Sequence, residues 1–299
     1  DLELNYKCSI GICIEHMQSK ETMSILDNAD LALYEAKKCG GNRAVLFKKK
    51  MRAEIIARES IRDQIITAAK SNKIKTKIEK VVDISLKREK NKTRNIVGYE
   101  ALFRCDEISS NTETIIKVAE RSGEIRTITT EVIREIGQKL ARGELILEEG
   151  QTLSINISAV ELLELGFPGR FIRQLNDAGI NSKQIYIEVT ETALVTNIEI
   201  ARFNINKLKK HGIKFAIDDF GTGYASISIL RKISVERIKL DQTYIRNIEN
   251  EVDQALVKTV IWMARALKVE LVAEGIESEE QLNALAALGC KLGQGFWLE

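Results

Sequence analysis

Residues 184–220 read QIYIEVTETALVTNIEIARFNINKLKKHGIKFAIDDF. The apolar run from Gln184 to Thr190 predicts a buried strand, the periodicity of Ile198 to His211 a helix, and the run from Lys214 to Phe220 a second strand. Strands alternating with helices imply a parallel sheet. The alternation continues outward, with strand candidates at Thr152–Ser158, Arg237–Asp241 and Glu270–Ile276 and helical segments at Ile115–Leu140, Gln254–Leu267 and Glu279–Leu288. Upstream, Ile74–Ile84 and Asn95–Ala101 flank Lys87–Arg94, which is almost wholly charged or polar and predicts an exposed hairpin tip. So many units in about 225 residues imply an α/β fold, either a barrel or a doubly wound sheet.

The first 47 residues follow the same logic on a smaller scale. Cys8–Ile14 and Ala44–Phe47 are extended, Thr22–Lys38 is helical, and Gly40 and Gly41 end the helix. Such a partial α/β unit is too small to hold a core alone. Lys48, Lys49 and Lys50 then lead into Met51–Lys70, a predicted linker helix whose basic run is a solvated start, given Glu54, Glu59 and Asp63. The expected organisation is therefore 1–47, a linker helix over 48–70, and the main domain over 71–299.

Each main-domain strand candidate is apolar along most of its length and then meets a polar group: Glu100, Asn156, Glu188, Asp218 with Asp219, Lys239 with Asp241, and Glu274, with Gln294 after another short run. A single buried, unpaired carboxylate costs several kcal/mol by the usual accounts, about 2–7 for even a neutral polar group, so six strands each meeting a polar group, five of them an acid, are not accidental. In a β/α barrel these ends converge on the face that carries active sites. Carboxylates gathered there repel one another unless a divalent cation neutralises them.

Composition narrows the chemistry. The 45 Lys and Arg nearly cancel the 43 Asp and Glu, leaving +2, which argues against a dedicated nucleic-acid arm or a polybasic membrane anchor. The average conceals a concentration of acids at the strand ends, where Glu191 and Glu277 join those already named. Two His exclude a His-rich centre, so any metal rests on carboxylate and amide oxygens, the ligands of Mg²⁺ or Mn²⁺. Five Cys without a C-x-x-C pair suit a reducing compartment, and cytoplasmic residence is the expectation. The most apolar helical stretch, Val257–Val269, is interrupted by Lys258, Arg265 and Lys268, so no bilayer span is expected from this fragment, although a longer protein could be anchored upstream. Asp218-Asp219-Phe220-Gly221 echoes the metal-binding Asp of protein kinases, but the Gly-rich loop, V-A-I-K lysine and H-R-D loop are missing. Gly221-Thr222-Gly223 without G-K-[ST] is not a P-loop.

Seven motifs in order carry a resemblance. Glu100-Ala101-Leu102-Phe103-Arg104, Ser154-Ile155-Asn156-Ile157-Ser158, Glu188-Val189-Thr190-Glu191, Asp218 to Tyr224, Ile238-Lys239-Leu240-Asp241, Ala273 to Glu277 and Gln294-Gly295-Phe296 resemble those of the EAL domain, the bacterial cyclic di-GMP phosphodiesterase. The resemblance implies a TIM-like (β/α)8 barrel with an antiparallel first strand, hydrolysing cyclic di-GMP to linear pGpG with Mg²⁺ or Mn²⁺ in a two-metal site. Carried over residue by residue, Glu100, Asn156, Glu188 and Asp218 hold one metal, and Asp218 with Asp219 helps hold a second. Lys239 orients the attacking water, Glu274 is the general base, Glu191 braces the loop from Asp219 to Ser226, Arg104 contacts a substrate phosphate, and Gln294 completes the pocket. Asp241 and Glu79 fall at substrate-facing positions. The resemblance further implies a homodimer through barrel helices and no DNA or RNA polymer as partner.

Departures from the family pattern are Glu79-Lys80-Val81 where Gln-Pro-Ile is usual, Cys105 for Trp, Ser234 for Pro and Lys291 for Asp. None removes a metal ligand, and Glu79 adds negative charge near an anionic substrate. A competing reading is an inactive EAL domain serving as a nucleotide receptor or dimerisation module. Residues 1–47 resemble the C-terminal part of a GGDEF domain, through Ser9-Ile10-Gly11, Ala29-Asp30 to Ala36-Lys37, and Asn42-Arg43. The motif naming that cyclase family is not in this sequence.

Overall fold

The computed structural model describes residues 7–14, 22–85, 95–191, 194, 197–221, 230 and 232–299. The predicted tip Lys87–Arg94 and residues 222–226 of the loop assigned to Glu191 lie outside them. The chain divides into two compact units, Asp1–Gln64 and Ile65–Glu299.

In the first unit β1 (Ile10–Ile12) and β2 (Ala44–Leu46) pair in parallel, with α1 (Thr22–Lys38) as the crossover. The helix buries Ala32 and Ala36. It lies so close to the sheet that a Cβ on Gly11 would stand 2.0 Å from the Ala29 carbonyl oxygen, so only glycine fits there. Lys37 and Lys38 complement the helix C-terminus, and Gly40 and Gly41 follow with positive φ. Helix α2 runs Lys49–Lys70, and the division between units falls within it.

The second unit is a closed barrel of eight strands: β3 (Lys75–Asp83), β4 (Ile96–Arg104), β5 (Thr152–Asn156), β6 (Ile185–Thr190), β7 (Lys214–Phe220), β8 (Arg237–Leu240), β9 (Glu270–Ala273) and β10 (Leu292–Gly293). β3 is antiparallel to both neighbours, β10 and β4, while the remaining pairs are parallel. This is the expected barrel with its reversed first strand. Around it lie α3 (Thr112–Ser122), α4 (Ile125–Ala141), α5 (Ala159–Leu162), α6 (Phe167–Asp177), α7 (Ile198–Lys209), α8 (Glu251–Leu267) and α9 (Glu279–Leu288). Several helix starts are capped by side chains: Asn111, Asn197 and Asn250 accept backbone N–H groups, and Ser278 with Gln281 forms a capping box.

Two expectations need correction. The single helix predicted over Ile115–Leu140 is two, because Gly123 adopts φ 82 and ends α3 with a left-handed cap. β4 does not stop at Ala101: Leu102 and Phe103 continue the ladder opposite Lys77 and Thr76, so Glu100 is a mid-strand residue.

The two-residue period of the strands sorts side chains by face. Leu153, Ile155, Ile185, Ile187, Phe215 and Ile238 are fully buried on one set of faces. The alternate positions carry Ser154, Asn156, Tyr186, Glu188, Asp218, Arg237 and Lys239, the polar set that fills the barrel. At the strands' N-terminal ends Tyr186 stacks against Arg237, 4.0 Å from guanidinium carbon to ring centroid, and Arg237 holds Glu270 through Nε at 3.1 Å and Nη2 at 2.9 Å. That end is closed by structural pairs, leaving the opposite end for chemistry.

Gly98 on β4 faces Thr152 on β5, where a Cβ would stand 2.6 Å from the Thr152 carbonyl oxygen and 2.7 Å from its Oγ1. Gly98→Ala is expected to destabilise the barrel by about 1–3 kcal/mol through overpacking. The check is urea unfolding, which should show a lower midpoint at unchanged slope. Among the described residues no helix is long and apolar enough to cross a membrane. All five cysteines are unpaired.

Candidate active site

The centre of the polar set is Lys239 on β8, 2% exposed. Its Nζ lies 2.6 Å from Glu188 Oε2, 2.6 Å from Glu274 Oε1, 2.9 Å from Glu100 Oε2 and 3.2 Å from Asp218 Oδ1. Glu100 also accepts Gln294 Nε2 at 2.6 Å and Asn156 Nδ2 at 2.7 Å. Glu100, Asn156, Glu188, Asp218, Lys239, Glu274 and Gln294 thus converge from seven successive positions around the barrel.

The electrostatics are those of an under-neutralised cluster. Burial works to raise Glu100, but the Lys239 charge and hydrogen bonds from Gln294, Lys239 and Asn156 outweigh it and hold the carboxyl down at about 2. Burial and the neighbouring Glu100 charge push Glu188 well above the usual carboxylate range. Burial, with Asp218 and Glu100 nearby, pushes Glu274 up to about 8. Asp219 is raised by burial and by Asp218 and Asp241. For Lys239, burial acts to lower the ammonium, but Glu188, Glu100, Glu274 and Asp218 raise it well above its ordinary value. One fixed cation does not satisfy five acids.

Divalent cations fit the remainder. Carboxylate oxygens of Glu100, Glu188 and Asp218 lie within 4.8 Å of one another, as do those of Asp218, Asp219 and Glu274. The groups share Asp218, and all their donors are hard oxygens suited to Mg²⁺- or Mn²⁺-like ions. Gln294 Oε1 is buried without a hydrogen-bond partner among the described residues, an oxygen that calls for a ligand or water.

The EAL domain family matches residues 89–299, the segment that holds every converging residue. The chain belongs to the EAL domain family. Cyclic di-GMP phosphodiesterase PdeR of Escherichia coli is 28% identical over 301 residues, covering 99% of this chain and 44% of that protein. Cyclic di-GMP phosphodiesterase NbdA of Pseudomonas aeruginosa is 26% identical over 292 residues, covering 96% of this chain and 36% of that protein. A calcium/cyclic di-GMP complex of Klebsiella pneumoniae BlrP1 matches with TM-score 0.63 at 28% identity, over 75% of this chain and 54% of that one. The chain spans 36% to 44% of the length of the two curated relatives.

The other expected residues of the EAL domain sit around the cluster and outside it. Arg104, at the end of β4, donates Nη1 to the Phe103 carbonyl at 2.7 Å. With Leu102, Ile116, Ile128, Asn156 and Glu188 it lines a cavity of about 290 Å³ beside the acids. Glu79 stands opposite Glu100 across the β3–β4 ladder and pairs with Lys77 at 3.0 Å; Lys77 also reaches Glu299 at 2.6 Å. Asp241 caps the turn after β8, accepting Thr243 N–H at 2.8 Å. Glu191 is buried after β6; burial raises its carboxyl, opposed by the Gly221 backbone. Tyr244, which no sequence motif marks, donates its hydroxyl to the Gly221 carbonyl at 2.5 Å. No spacing signals that contact, because it joins residues from two different strand ends.

Proposed function

We propose that this EAL domain hydrolyses cyclic di-GMP to linear pGpG with two divalent cations, Mg²⁺ or Mn²⁺. The observation that carries the reading is the convergence of Glu100, Glu188, Asp218 and Glu274 on Lys239, with Asp219 completing a second acidic group. Two relatives bear the name cyclic di-GMP phosphodiesterase, which supports the substrate. Glu100, Asn156, Glu188 and Asp218 would hold one cation, and Asp218 with Asp219 the other. Bound cations supply charge neutralisation on the phosphate and a more acidic water.

The chain's own groups do the rest. Glu274 takes the proton of the attacking water, whose oxygen forms the new bond to phosphorus while the bond from phosphorus to the ribose 3′ oxygen breaks, and the departing oxygen takes a proton from solvent to become the 3′ hydroxyl. Lys239 Nζ, hydrogen-bonded to Glu100 and Glu188, orients that water. Gln294 fixes Glu100, Glu191 braces the loop after Asp219, and Arg104 contacts a substrate phosphate from the adjoining cavity. Asp241 and Glu79 face the nucleotide, where the Glu79 carboxylate weakens affinity relative to an amide.

Incubation with cyclic di-GMP and Mn²⁺ or Mg²⁺ tests the reading, with a single linear product expected. Tight binding without turnover in saturating metal would transfer it to the receptor alternative, which the complete acid set disfavours. Metal is also expected to stabilise the fold. Mn²⁺ at about a hundred times a site's dissociation constant should add about 2.7 kcal/mol for that site, read from denaturant midpoints and reversed by EDTA.

We assign residues 1–47 to the C-terminal part of a GGDEF-like domain, 48–70 to a linker and 71–299 to the barrel; the parallel β1–α1–β2 unit supports the first assignment. A homodimer is consistent with α8, which exposes Val252, Leu256 and Trp262. A strictly monomeric mass with full activity would count against it. The unpaired cysteines suit the cytoplasm.

A further inference from the structure

Consecutive residues of a strand point to opposite faces. Asp218 and Asp219 nevertheless share one acidic group with Glu274. The backbone accounts for this: Asp219 adopts φ 52, the β7–β8 ladder slips between Ile217 and Phe220, and pairing resumes at Phe220 with Leu240. The Asp219 N–H turns back onto Asp218 Oδ1 at 3.1 Å. Outside glycine the left-handed region is unfavourable, and although Asp tolerates it better than most residues, a left-handed turn inside a strand end is held there by its neighbours.

One such restraint comes from the end of the neighbouring strand. Tyr244 lies in the short turn Gln242–Tyr244 that follows β8. Its hydroxyl donates to the Gly221 carbonyl, two residues beyond Asp219. The approach is close enough that a Cβ on Gly221, which has φ +99, would stand 2.6 Å from the Tyr244 hydroxyl oxygen and 2.8 Å from Cε2. The turn is itself anchored: the Asp241 carboxylate accepts Thr243 N–H, the Tyr244 N–H donates to the Asp241 carbonyl at 3.2 Å, and Ile245 is fully buried behind it. Tyr244 therefore ties the end of β8 to the irregular end of β7.

We infer that Tyr244 is a positioning residue for the second acidic group, holding through Gly221 the left-handed turn that brings Asp219 beside Asp218 and Glu274. The inference rests on the reading that this group binds a cation. Tyr244→Phe keeps the ring and removes the hydrogen bond to Gly221, so the fold should survive, and unchanged amide exchange in β5 would verify that. In the metal-free protein, amide exchange over residues 214–221 should quicken by about fivefold, the equivalent of one net hydrogen bond. By Mn²⁺ calorimetry one of two ions should bind about fivefold more weakly with the other unchanged, and excess Mn²⁺ should restore turnover. Wild-type exchange rates and both wild-type affinities in Tyr244→Phe would overturn the inference. Quickened exchange in a protein whose parent form takes up no Mn²⁺ would support the clamp while overturning the metal reading, so the two failures are distinguishable.

Discussion

Glu188→Ala is expected to abolish turnover, lowering kcat by about three orders of magnitude or more, while leaving the metal-free fold at least as stable as the parent. Glu188 is 1% exposed on β6 and reaches Lys239 at 2.6 Å. Burial and Glu100 oppose its ionisation, so removing it relieves repulsion in a cluster that holds more acid than one ammonium neutralises. Its oxygen is one of three in the first acidic group, and without it that group no longer closes around an ion. The measurements are turnover, Mn²⁺ uptake and the urea midpoint on the same preparation. A variant that loses activity only because it unfolds would fail the third.

Lys239→Met should move stability in the opposite direction. The side chain is fully buried and bridges four carboxylates from β4, β6, β7 and the end of β9. Methionine keeps most of the volume and removes the charge, leaving buried acids without their fixed counter-ion. Breaking a buried ion pair by deleting one partner costs about 3–5 kcal/mol, and that loss is expected in metal-free protein. Mn²⁺ should recover part of it, since the same carboxylates gain a new counter-ion, but activity should stay absent because no ammonium orients the water. Denaturant midpoints with and without Mn²⁺ check the sign of each change. Equal midpoints for Lys239→Met and parent in EDTA would contradict the placement of Lys239 at the centre of the cluster.

Why these residues could be found in the sequence, and others not, has a physical basis. An acid at the end of an apolar run stands out because burying it is costly, which exposed Glu188, Asp218 and Glu274 without any tertiary information. The alternation of Gln184–Thr190, Ile198–His211 and Lys214–Phe220 was legible because two periodicities, 2.0 and 3.6, succeed one another there. The helix break at Gly123 was hidden, since one glycine inside a continuous apolar period changes the backbone and not the pattern. The extent of β4 was hidden for a related reason: Leu102 and Phe103 pair with β3, and pairing is a property of two segments. Asp219 was marked by its place beside Asp218 and by the family resemblance, but the backbone that brings it to the cluster was not. Strand period places it away from Asp218, and only a left-handed backbone returns it to the cluster. The Tyr244 clamp on that turn belongs to the same class of long-range contacts.

Turnover in water enriched in oxygen-18 tests the central claim most directly. With Mn²⁺ and cyclic di-GMP, metal-dependent attack by water predicts linear pGpG carrying one labelled oxygen on its new terminal phosphate, and no product in EDTA or with Glu188→Ala. Unlabelled product, or tightly bound and unchanged cyclic di-GMP in saturating metal, would contradict it.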